Sequence, residues 1–342
     1  MDCRPPTNQP LDRRHILPLA ALLLTACAEP DLRRHSAEAA LVWIDTDPSV
    51  GIPERDVDDG LALIQAFHSP ELQIVGISTV FGNAPLTQAD PIARDLTTRF
   101  GPAGLPVYSG SAGTADLGRE TPASRALAAV LKARPLIVLA LGPVTNLATV
   151  LMNHPELGRQ ISAVVAVAGR RPGQRFTTGT SNPKAHRDFN FEQDPKAFEI
   201  LLASRIPLTL APFEISSKVW IRDKDLQRLE RAGQAPRYLA AAARGWLGLW
   251  KRTFGVDGFN PFDTLAVAVL ATPNLVLCET LPTRIETLPD DVTEESMQGT
   301  KAPEKRYLLA AQGLTSNRFV RYCHAADPAY KDDLLRRLMR GD

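Results

Sequence analysis

The sequence predicts an α/β fold built on an open, mainly parallel, doubly wound sheet that is flanked by helices. Four short apolar runs indicate buried parallel strands, at residues 41–44, 72–81, 136–141 and 161–167. Segments with helical apolar spacing alternate with these runs, which is typical of right-handed crossovers between parallel strands. The chain has 342 residues, of which 44% are hydrophobic, so it is long enough to bury one sizeable core.

The remaining elements follow in chain order between short polar loops. Further strands are predicted at 105–109 and 206–211, and helices at 61–67, 86–100, 125–132, 147–152, 196–203, 224–231, 238–250, 264–270 and 331–339. Asp194 is placed to cap the helix that begins near Pro195. The stretch 170–188 is long, polar and rich in Gly, Thr, Pro and Arg, so we expect it to line a site. Beyond Leu275 the pattern predicts several short strands and then the last helix.

The N-terminus has the pattern of an export signal. An apolar run, Ile16 to Ala26, follows two arginines and is too short to span a bilayer as a helix. It ends in Leu24-Thr25-Ala26-Cys27, which resembles the site where bacterial lipoproteins are cleaved and acylated, here on Cys27. An ordinary signal peptide is the alternative. The sequence thus predicts a lipoprotein-type signal peptide at 1–27, a tether at 28–40 and a catalytic domain at 41–342.

This pattern and the composition together indicate the compartment and the partners. We expect an exported bacterial protein, periplasmic or on the cell surface, that meets the membrane only through its lipid anchor. The net charge of +1 and the lack of a basic cluster argue against a nucleic-acid partner. Cys278 and Cys323 are able to pair in an oxidising compartment, although nothing in the sequence places them together.

Five aspartates follow the first predicted strand within a few residues of one another: Asp45, Asp47, Asp56, Asp58 and Asp59. The carboxyl ends of the strands of an open α/β sheet are where ligands bind. Crowded carboxylates repel one another unless a cation lies among them, and Ca²⁺ takes about six to eight oxygen ligands. A solvated acidic turn is the alternative, but it needs no rigid apolar strand before it. The placement therefore favours a cation site.

Two known patterns compete for this stretch. One is the phosphoaspartyl phosphatase signature, in which Asp45 would be the nucleophile. The other is the nucleoside hydrolase signature, which also explains Pro48 and the pair Asp58-Asp59. The second pattern fits better, although an insertion at about residues 50–56 separates Asp47 from Asp58 by more than the usual spacing.

Further along the chain the resemblance to one family becomes broad, and it covers about residues 41–340. The matching pieces are Asp45-Thr46-Asp47-Pro48, Asp58-Asp59, Gly82-Asn83, Leu141-Gly142-Pro143-Val144-Thr145-Asn146, Asn182, Asp188-Phe189-Asn190, Asp194-Pro195 and Asp263. The chain resembles the inosine–uridine-preferring nucleoside hydrolase family. The resemblance implies a single-domain hydrolase that cleaves the N-glycosidic bond of ribonucleosides to base and ribose with Ca²⁺-activated water. It also implies a homodimer or homotetramer.

The resemblance assigns a role to each matching polar residue. It implies a Ca²⁺ site formed by Asp47, Asp59, Asp263 and the backbone carbonyl of Thr145, with Asp47 also accepting a proton from the bound water. It implies ribose contacts from Asp58, Asn83, Asn190 and Asp263, and contacts to the 5′-hydroxyl from Asn182 and Asp188. The family usually has Glu at the position of Asp188. Asp45 is expected to orient the acidic loop through hydrogen bonds.

The chemistry accounts for these residue types independently. Breaking an N-glycosidic bond builds positive charge on the ribose ring, in a transition state with oxocarbenium character. Carboxylate and amide oxygens beneath the ring favour that charge. A bound cation orients the attacking water and lowers its pKa, so that an aspartate is able to act as general base.

The sequence leaves open which residues contact the nucleobase and which residue protonates it. Trp246, Trp250 and Phe254 form one helical stripe, which is typical of a core face but also of an aromatic wall beside a nucleobase. His186 is a candidate proton donor to the departing base. Phe262 stands where many purine-cleaving members of the family have that donor histidine, so we expect slow cleavage of inosine. A non-catalytic nucleoside-binding lipoprotein is a further alternative, which an assay for ribose release would distinguish.

Overall fold

The computed structural model describes residues 39–179, 183–292 and 303–340. The strands are β1 (Ala40–Thr46), β2 (Leu72–Thr79), β3 (Val107–Ser109), β4 (Leu136–Ala140), β5 (Ile161–Ala166), β6 (Thr177–Thr178), β7 (Lys184–Ala185), β8 (Leu208–Leu210), β9 (Val276–Pro289), β10 (Glu304–Ala310) and β11 (Phe319–Ala326). The helices are α1 (Asp58–Phe67), α2 (Leu86–Phe100), α3 (Pro122–Ala133), α4 (Thr145–Asn153), α5 (Phe189–Gln193), α6 (Pro195–Ala203), α7 (Phe213–Ser216), α8 (Asp223–Glu230), α9 (Gln234–Phe254), α10 (Thr264–Ala271) and α11 (Tyr330–Leu338). The predicted alternation of strands and helices is confirmed over the described part of the chain.

Nine of these strands form one sheet in the order β10-β9-β11-β8-β5-β4-β1-β2-β3. Every neighbouring pair from β3 to β11 is parallel, and β9 runs antiparallel to both β11 and β10. The predicted mainly parallel sheet is therefore confirmed. After β1, the strands β2 and β3 are added on one side of it, and β4, β5 and β8 are then added on the other side. The topological switch point therefore lies between β1 and β4. Ligand sites in such sheets open at the carboxyl ends of the strands beside that point.

Both faces of the sheet are covered, as a doubly wound fold requires. Along β1, Val42 and Ile44 pack into one hydrophobic cluster with α1, α9, α10 and α11. Trp43, which points the other way, packs with α3, α4 and α6. Because β1 is buried on both faces, its sequence is continuously apolar up to the residue before Asp45. The packing on both faces therefore fixes the position of the acidic residues that follow the strand.

The predicted cap of α6 is confirmed, and the largest differences from the predicted helices are the length of α9 and two short helices that were missed. Asp194 caps α6 by accepting a hydrogen bond from the backbone N–H of Ala197 at 3.0 Å, with Pro195 in the first turn, as predicted. Helix α9 runs for 21 residues, longer at both ends than its apolar stripe indicated. The short helices α5 and α7 were not predicted, because four or five residues are too few to show a helical period.

The last third of the chain is more regular than its sequence indicated. Strand β9 is 14 residues long and pairs with both β10 and β11. Cys278 on β9 and Cys323 on β11 lie directly opposite each other and form a disulfide. The pairing that the sequence left open is therefore present in the structure.

Two predicted features lie outside the described residues, namely the export and lipidation segment ending at Cys27 and the site residue Asn182. Within 39–179, 183–292 and 303–340, no helix combines the length and the apolar character needed to cross a membrane.

Candidate active site

The polar residues of the site lie at the carboxyl ends of neighbouring parallel strands. Asp47 follows β1, Asn83 follows β2 and Thr145 follows β4 at the start of α4. Helix α1 begins with Asp58 and Asp59, whose carboxylates stand in its first turn, where the helix dipole favours negative charge. The predicted convergence of these residues is thus produced by the register of the sheet.

The insertion shapes the start of α1. The carboxylate of Asp56 accepts hydrogen bonds from the backbone N–H groups of Val57 at 2.7 Å and of Asp58 at 3.2 Å. Asp56 therefore satisfies N–H groups that would otherwise lack partners at the helix N-terminus. The insertion also brings Glu54, Arg55 and Asp56 to the wall of the cavity described below.

Three buried carboxylates are close enough together to hold a metal ion. One oxygen each from Asp58, Asp59 and Asp263 lies within 4.8 Å of the other two. The backbone N–H of Asp263 also points towards the Asp58 carboxylate, at 3.4 Å. The resemblance assigned Asp58 to the ribose, Asp59 to the metal and Asp263 to both, and in the structure all three carboxylates form one group.

Asp47 adjoins this group and is held from several sides. Its backbone N–H donates to Asp59 Oδ1 at 3.1 Å, and its Oδ2 accepts from the backbone N–H of Asn83 at 2.7 Å. A Cβ added to Gly82 would lie 1.9 Å from Asp47 Oδ2, and one added to Gly142 would lie 2.8 Å from Oδ1. The two glycines therefore permit a close approach of backbone to this carboxylate that no other residue allows.

The geometry of Asp59 is equally constrained. Its Oδ1 accepts from the hydroxyl of Thr46 as well as from the N–H of Asp47, and its Oδ2 accepts from Asn83 Nδ2 at 3.2 Å. Asn83, predicted as a sugar contact, thus bridges two acidic residues and also lines the cavity. The carboxylates are fixed before any ligand binds, as a preorganised site requires.

Burial and mutual repulsion perturb the aspartates of the cluster. Burial raises the pKa of Asp47, Asp58 and Asp263 well above the usual range of a carboxyl, and the neighbouring carboxylates raise each pKa further. Two buried oxygens, Asp47 Oδ1 and Asp263 Oδ2, have no hydrogen-bond partner among the residues that the structure describes. A hard divalent cation would satisfy both and offset the repulsion, since its preferred ligands are carboxylate and carbonyl oxygens. The residues present therefore fit a metal ion.

Asp45, like Asp47 and Asp59, is buried and is not among the residues that line the cavity described below. Its Oδ1 accepts hydrogen bonds from Ser78 Oγ at 2.6 Å and from Asn146 Nδ2 at 2.8 Å. Burial raises its pKa to about 7. These two hydrogen bonds hold the Asp45 carboxylate against Ser78 and Asn146, an arrangement that favours the orienting role.

Thr145 joins the site to the helices beneath it. It is fully buried at the start of α4, and its hydroxyl donates to Asp194 Oδ2 at 2.7 Å while Asp194 caps α6. The interaction fixes the loop between β4 and α4. The backbone of Thr145 is thereby held at the edge of the sheet, where the sequence placed its carbonyl as a ligand.

Asp188 and Asn190, for which the resemblance implies sugar contacts, line the cavity together with Asp58 and Asn83. Asn190 Nδ2 donates to the backbone carbonyls of Leu141 and Val167, so the amide oxygen is left for a ligand. Asp188 Oδ2 accepts from the backbone N–H of Gly169 at 2.8 Å. Burial raises the pKa of Asp188 to about 7, although nearby Arg170 opposes that rise.

A cavity of about 530 Å³ opens above the cluster. Beyond the polar residues, its walls are aromatic: Phe176, His186, Phe189, Phe213, Trp246, Trp250, Phe254 and Phe262. Phe176, Phe189 and Phe213 were missed as site residues. Both Phe213 and Phe176 had a signal: Phe213 follows β8 at the same edge of the sheet, and Phe176 lies in the loop 170–188 that was expected to line a site.

The tryptophan stripe of α9 belongs both to the core and to this wall. Trp250 is 1% exposed, packs in the hydrophobic core and contributes to the cavity, while Trp246 is half-buried and lines the cavity. The stripe is therefore part of the core and also lines a cavity, while its contact with a nucleobase stays a prediction. The imidazole of His186 lies among Phe213, Trp250 and Phe254, with ring centroids 4.9–6.1 Å away. Burial lowers its pKa to about 4, so the imidazole is neutral at physiological pH.

An enzyme that hydrolyses a nucleoside needs oxygen ligands beneath a sugar and an apolar wall beside a base, and this site provides both. The class of protein is thus a glycosidase that acts on nucleosides. Residues 42–321 match the family described as "Inosine-uridine preferring nucleoside hydrolase". The chain belongs to that family, and its reaction is hydrolysis of the N-glycosidic bond of ribonucleosides.

Individual relatives are distant but cover most of the chain. The chain is 26% identical over 276 residues to "Probable uridine nucleosidase 2" of Oryza sativa subsp. japonica. The matched segment covers 72% of this chain and 78% of the relative. The chain is also 26% identical over 263 residues to "Pyrimidine-specific ribonucleoside hydrolase RihA" of Photobacterium profundum. That matched segment covers 68% of this chain and 80% of the relative.

Solved structures match the fold over nearly their whole length. A plant nucleoside hydrolase superposes with a TM-score of 0.70 at 22% identity and covers 88% of this chain and 99% of its own. A purine-preferring ribonucleoside hydrolase from Gardnerella vaginalis gives a TM-score of 0.67 at 22% identity, covering 87% of this chain and 98% of its own. These likenesses establish the fold and carry no conclusion about the preferred base.

Proposed function

We propose that the protein is a Ca²⁺-dependent hydrolase that releases ribose from nucleosides, with uridine cleaved faster than inosine. The observation that carries the proposal is a preformed cluster of buried aspartates at the floor of an aromatic cavity. An all-oxygen ligand set suits Ca²⁺. Relatives named uridine nucleosidase and pyrimidine-specific ribonucleoside hydrolase support the base preference.

Each polar residue then has a part in the reaction. Asp47, Asp59, Asp263 and the carbonyl of Thr145 would hold the cation, while Asn83, Asp58 and Asn190 hold the ribose. Asp188 and Asn182, the latter outside the described residues, bind the 5′-hydroxyl. When bound, the cation orients the attacking water and lowers its pKa.

Hydrolysis proceeds by direct displacement at the anomeric carbon. Water attacks C1′, and Asp47 accepts its proton as general base. The C1′–N bond breaks and its electron pair departs with the base. The carboxylates of Asp58 and Asp263 lie where they favour the positive charge that develops on the ribose ring. No covalent enzyme intermediate is needed.

Neither residue considered as a proton donor is able to protonate the leaving base. Phe262 has no proton to donate, and His186 is neutral because burial lowers its pKa to about 4. General acid catalysis typically contributes about 10²–10⁴-fold, so its absence penalises bases that depart poorly as anions. Uracil carries its negative charge on two carbonyl oxygens as well as on nitrogen, which supports the preference for uridine.

The compartment and assembly are part of the same proposal. The N-terminal pattern supports an exported protein that is lipid-anchored at Cys27, with a tether before the catalytic domain. The disulfide between Cys278 and Cys323 is compatible with an oxidising compartment. A homodimer or homotetramer is proposed from the family resemblance, and light scattering of the purified protein measures it.

One experiment tests the central proposal. Ribose release from uridine, cytidine, inosine and adenosine is measured with a reducing-sugar assay, in added Ca²⁺ and in excess chelator. We expect uridine to be cleaved fastest, with activity lost in chelator and restored by Ca²⁺. Tight nucleoside binding by calorimetry without ribose release would instead indicate a binding protein. Activity that persists after complete removal of the metal would refute the role of the cation.

A further inference from the structure

A carboxylate that has no role in the reaction lies directly behind the sugar side of the cavity. Glu192 lies on α5, and its side chain is only 10% exposed. Its Oε1 accepts a hydrogen bond from the backbone N–H of Asp188 at 2.9 Å. Glu192 therefore fixes the backbone of the residue that is proposed to bind the 5′-hydroxyl.

Three cationic side chains converge on the same carboxylate. Lys305 Nζ lies 2.8 Å from Glu192 Oε1, Arg170 Nη2 lies 3.4 Å from the same oxygen, and Arg187 Nη1 lies 2.7 Å from Oε2. Arg170 is 1% exposed, with its guanidinium 4.1 Å from the ring centroid of Phe176. A buried cation of this kind needs a fixed anionic partner.

Two further carboxylates complete the network. Asp291 is 2.7 Å from Arg170 and 2.8 Å from Lys305, and Asp290 is 3.1 Å from Arg187. Glu192, Asp290 and Asp291 thus balance the three cations in number. Asp188 is a fourth carboxylate, and within residues 39–179, 183–292 and 303–340 it has no ion pair of its own. It contacts the backbone of Gly169 and faces the cavity.

We propose that Glu192 is a positioning residue for the sugar subsite: it fixes the Asp188 backbone and holds three cations away from the Asp188 carboxylate. The inference rests on the proposed function, since it assumes that Asp188 binds the primary hydroxyl of the ribose. Asp188 is then free to accept a hydrogen bond from the substrate.

Removing the charge of Glu192 has a specific physical consequence. Arg187 is the chain neighbour of Asp188 and also lines the cavity. Without its pair to Glu192, the Arg187 guanidinium keeps its contact with Asp290 at 3.1 Å. The nitrogen released from Glu192 would then be able to turn towards Asp188, which is adjacent in the chain and lines the same cavity. A new ion pair there would compete with the substrate hydroxyl. The variant should therefore lose recognition of the 5′-hydroxyl and keep the rest of the site.

The ratio of kcat/KM for uridine to kcat/KM for 5′-deoxyuridine measures that recognition. A hydrogen bond to a charged group corresponds to roughly ten- to a hundredfold in this ratio for the wild type. Glu192→Gln should bring the ratio below about threefold by slowing uridine, with 5′-deoxyuridine little changed. Asp188→Asn gives the reference value for a weakened subsite.

A second substitution separates charge competition from simple misfolding. Adding Arg187→Gln to Glu192→Gln removes the competing guanidinium, and the ratio should recover to within about threefold of the wild type. Glu199→Gln on α6 is the matched control, because Glu199 also pairs with basic side chains, Lys196 and Arg306, but lies outside the cavity lining. Its ratio should equal that of the wild type.

The possible outcomes are distinguishable. Equal slowing of both substrates by Glu192→Gln, with the ratio kept, would overturn the inference. If that variant is inactive with both, the double variant decides, and failure to recover the ratio also overturns it. A wild type that releases ribose but does not distinguish the two substrates would refute the subsite and the inference together. A wild type that releases no ribose at all would refute the proposed function itself.

Discussion

Replacing Asp263 by asparagine should have opposite effects on stability with and without Ca²⁺. Asp263 stands immediately before α10 and makes no side-chain capping hydrogen bond, so asparagine is expected to fit its place. The substitution removes one carboxylate from a group whose oxygens lie within 4.8 Å of one another. In chelator it relieves repulsion, whereas in Ca²⁺ it removes a ligand.

The magnitude follows from these distances. Two ionised carboxylates at 4.8 Å repel by about 3 kcal/mol at an effective dielectric constant of about 20. Protonation relieves much of this, because burial raises the pKa of Asp263 well above its usual range. We therefore expect a net stabilisation of about 1–3 kcal/mol in chelator, or a rise in Tm of about 2–6 °C for a domain of this size.

The sign reverses when Ca²⁺ is present. A ligand at a hundredfold excess over its Kd stabilises the wild type by about 2.7 kcal/mol, which is about 5 °C in Tm. The variant should gain little of this. The assay is calorimetric or fluorimetric melting of both proteins in chelator and across a Ca²⁺ titration, with ribose release measured in parallel. Ribose release should fall by several orders of magnitude.

The control is a buried aspartate that has a cationic partner. Asp225 is 2% exposed and its Oδ2 lies 2.6 Å from Lys331 Nζ. Asp225→Asn should lower Tm by the same amount in both buffers. If Asp263→Asn also lowers Tm equally in both, the carboxylates do not repel as argued. If it keeps the Ca²⁺ response of the wild type, Asp263 is not a ligand.

Three further predictions concern the base, the disulfide and the anchor. Phe262→His should raise kcat/KM for inosine by about 10²-fold relative to uridine, whereas His186→Ala should leave the pH–rate profile between pH 5 and 8 unchanged, because the pKa of His186 is about 4. Replacing Cys278 and Cys323 by serine should lower the free energy of unfolding by about 2–4 kcal/mol in denaturant melts, given a sequence separation of 45 residues. Cys27→Ser should move the protein out of the membrane fraction or leave it unprocessed, and unchanged fractionation would contradict lipidation.

The parallel half of the fold was predictable because its signal is local and strong. Strands such as β4 and β5 are continuous apolar runs bounded by polar loops, and only a sheet buried on both faces requires that pattern. The antiparallel strands β9 and β11 alternate buried and exposed residues less regularly, and their pairing is set by partners far along the chain. Their existence was predictable, but their length and order were not.

The same distinction applies to the site. The family resemblance assigned roles to Asp47, Asn83 and Thr145, and each of them also follows a strand whose end is visible in the sequence. Glu192 was not, since its role depends on Lys305, which is 113 residues away. Likewise, the resemblance assigned both Asp58 and Asp263 to the ribose, but only the folded chain shows that their carboxylates form one group with Asp59.

The cluster of Asp58, Asp59 and Asp263 joins two parts of the chain about 200 residues apart, since the hydrogen bond between Asp263 and Asp58 spans 205 positions. A nascent chain that ends before α10 lacks one of the three carboxylates. The complete cation site therefore forms only after the chain has folded as far as α10. In the exported protein that we propose, the free energy of cation binding would therefore become available only after export, at the last stage of folding. It would stabilise the complete domain and leave incomplete chains open to proteases.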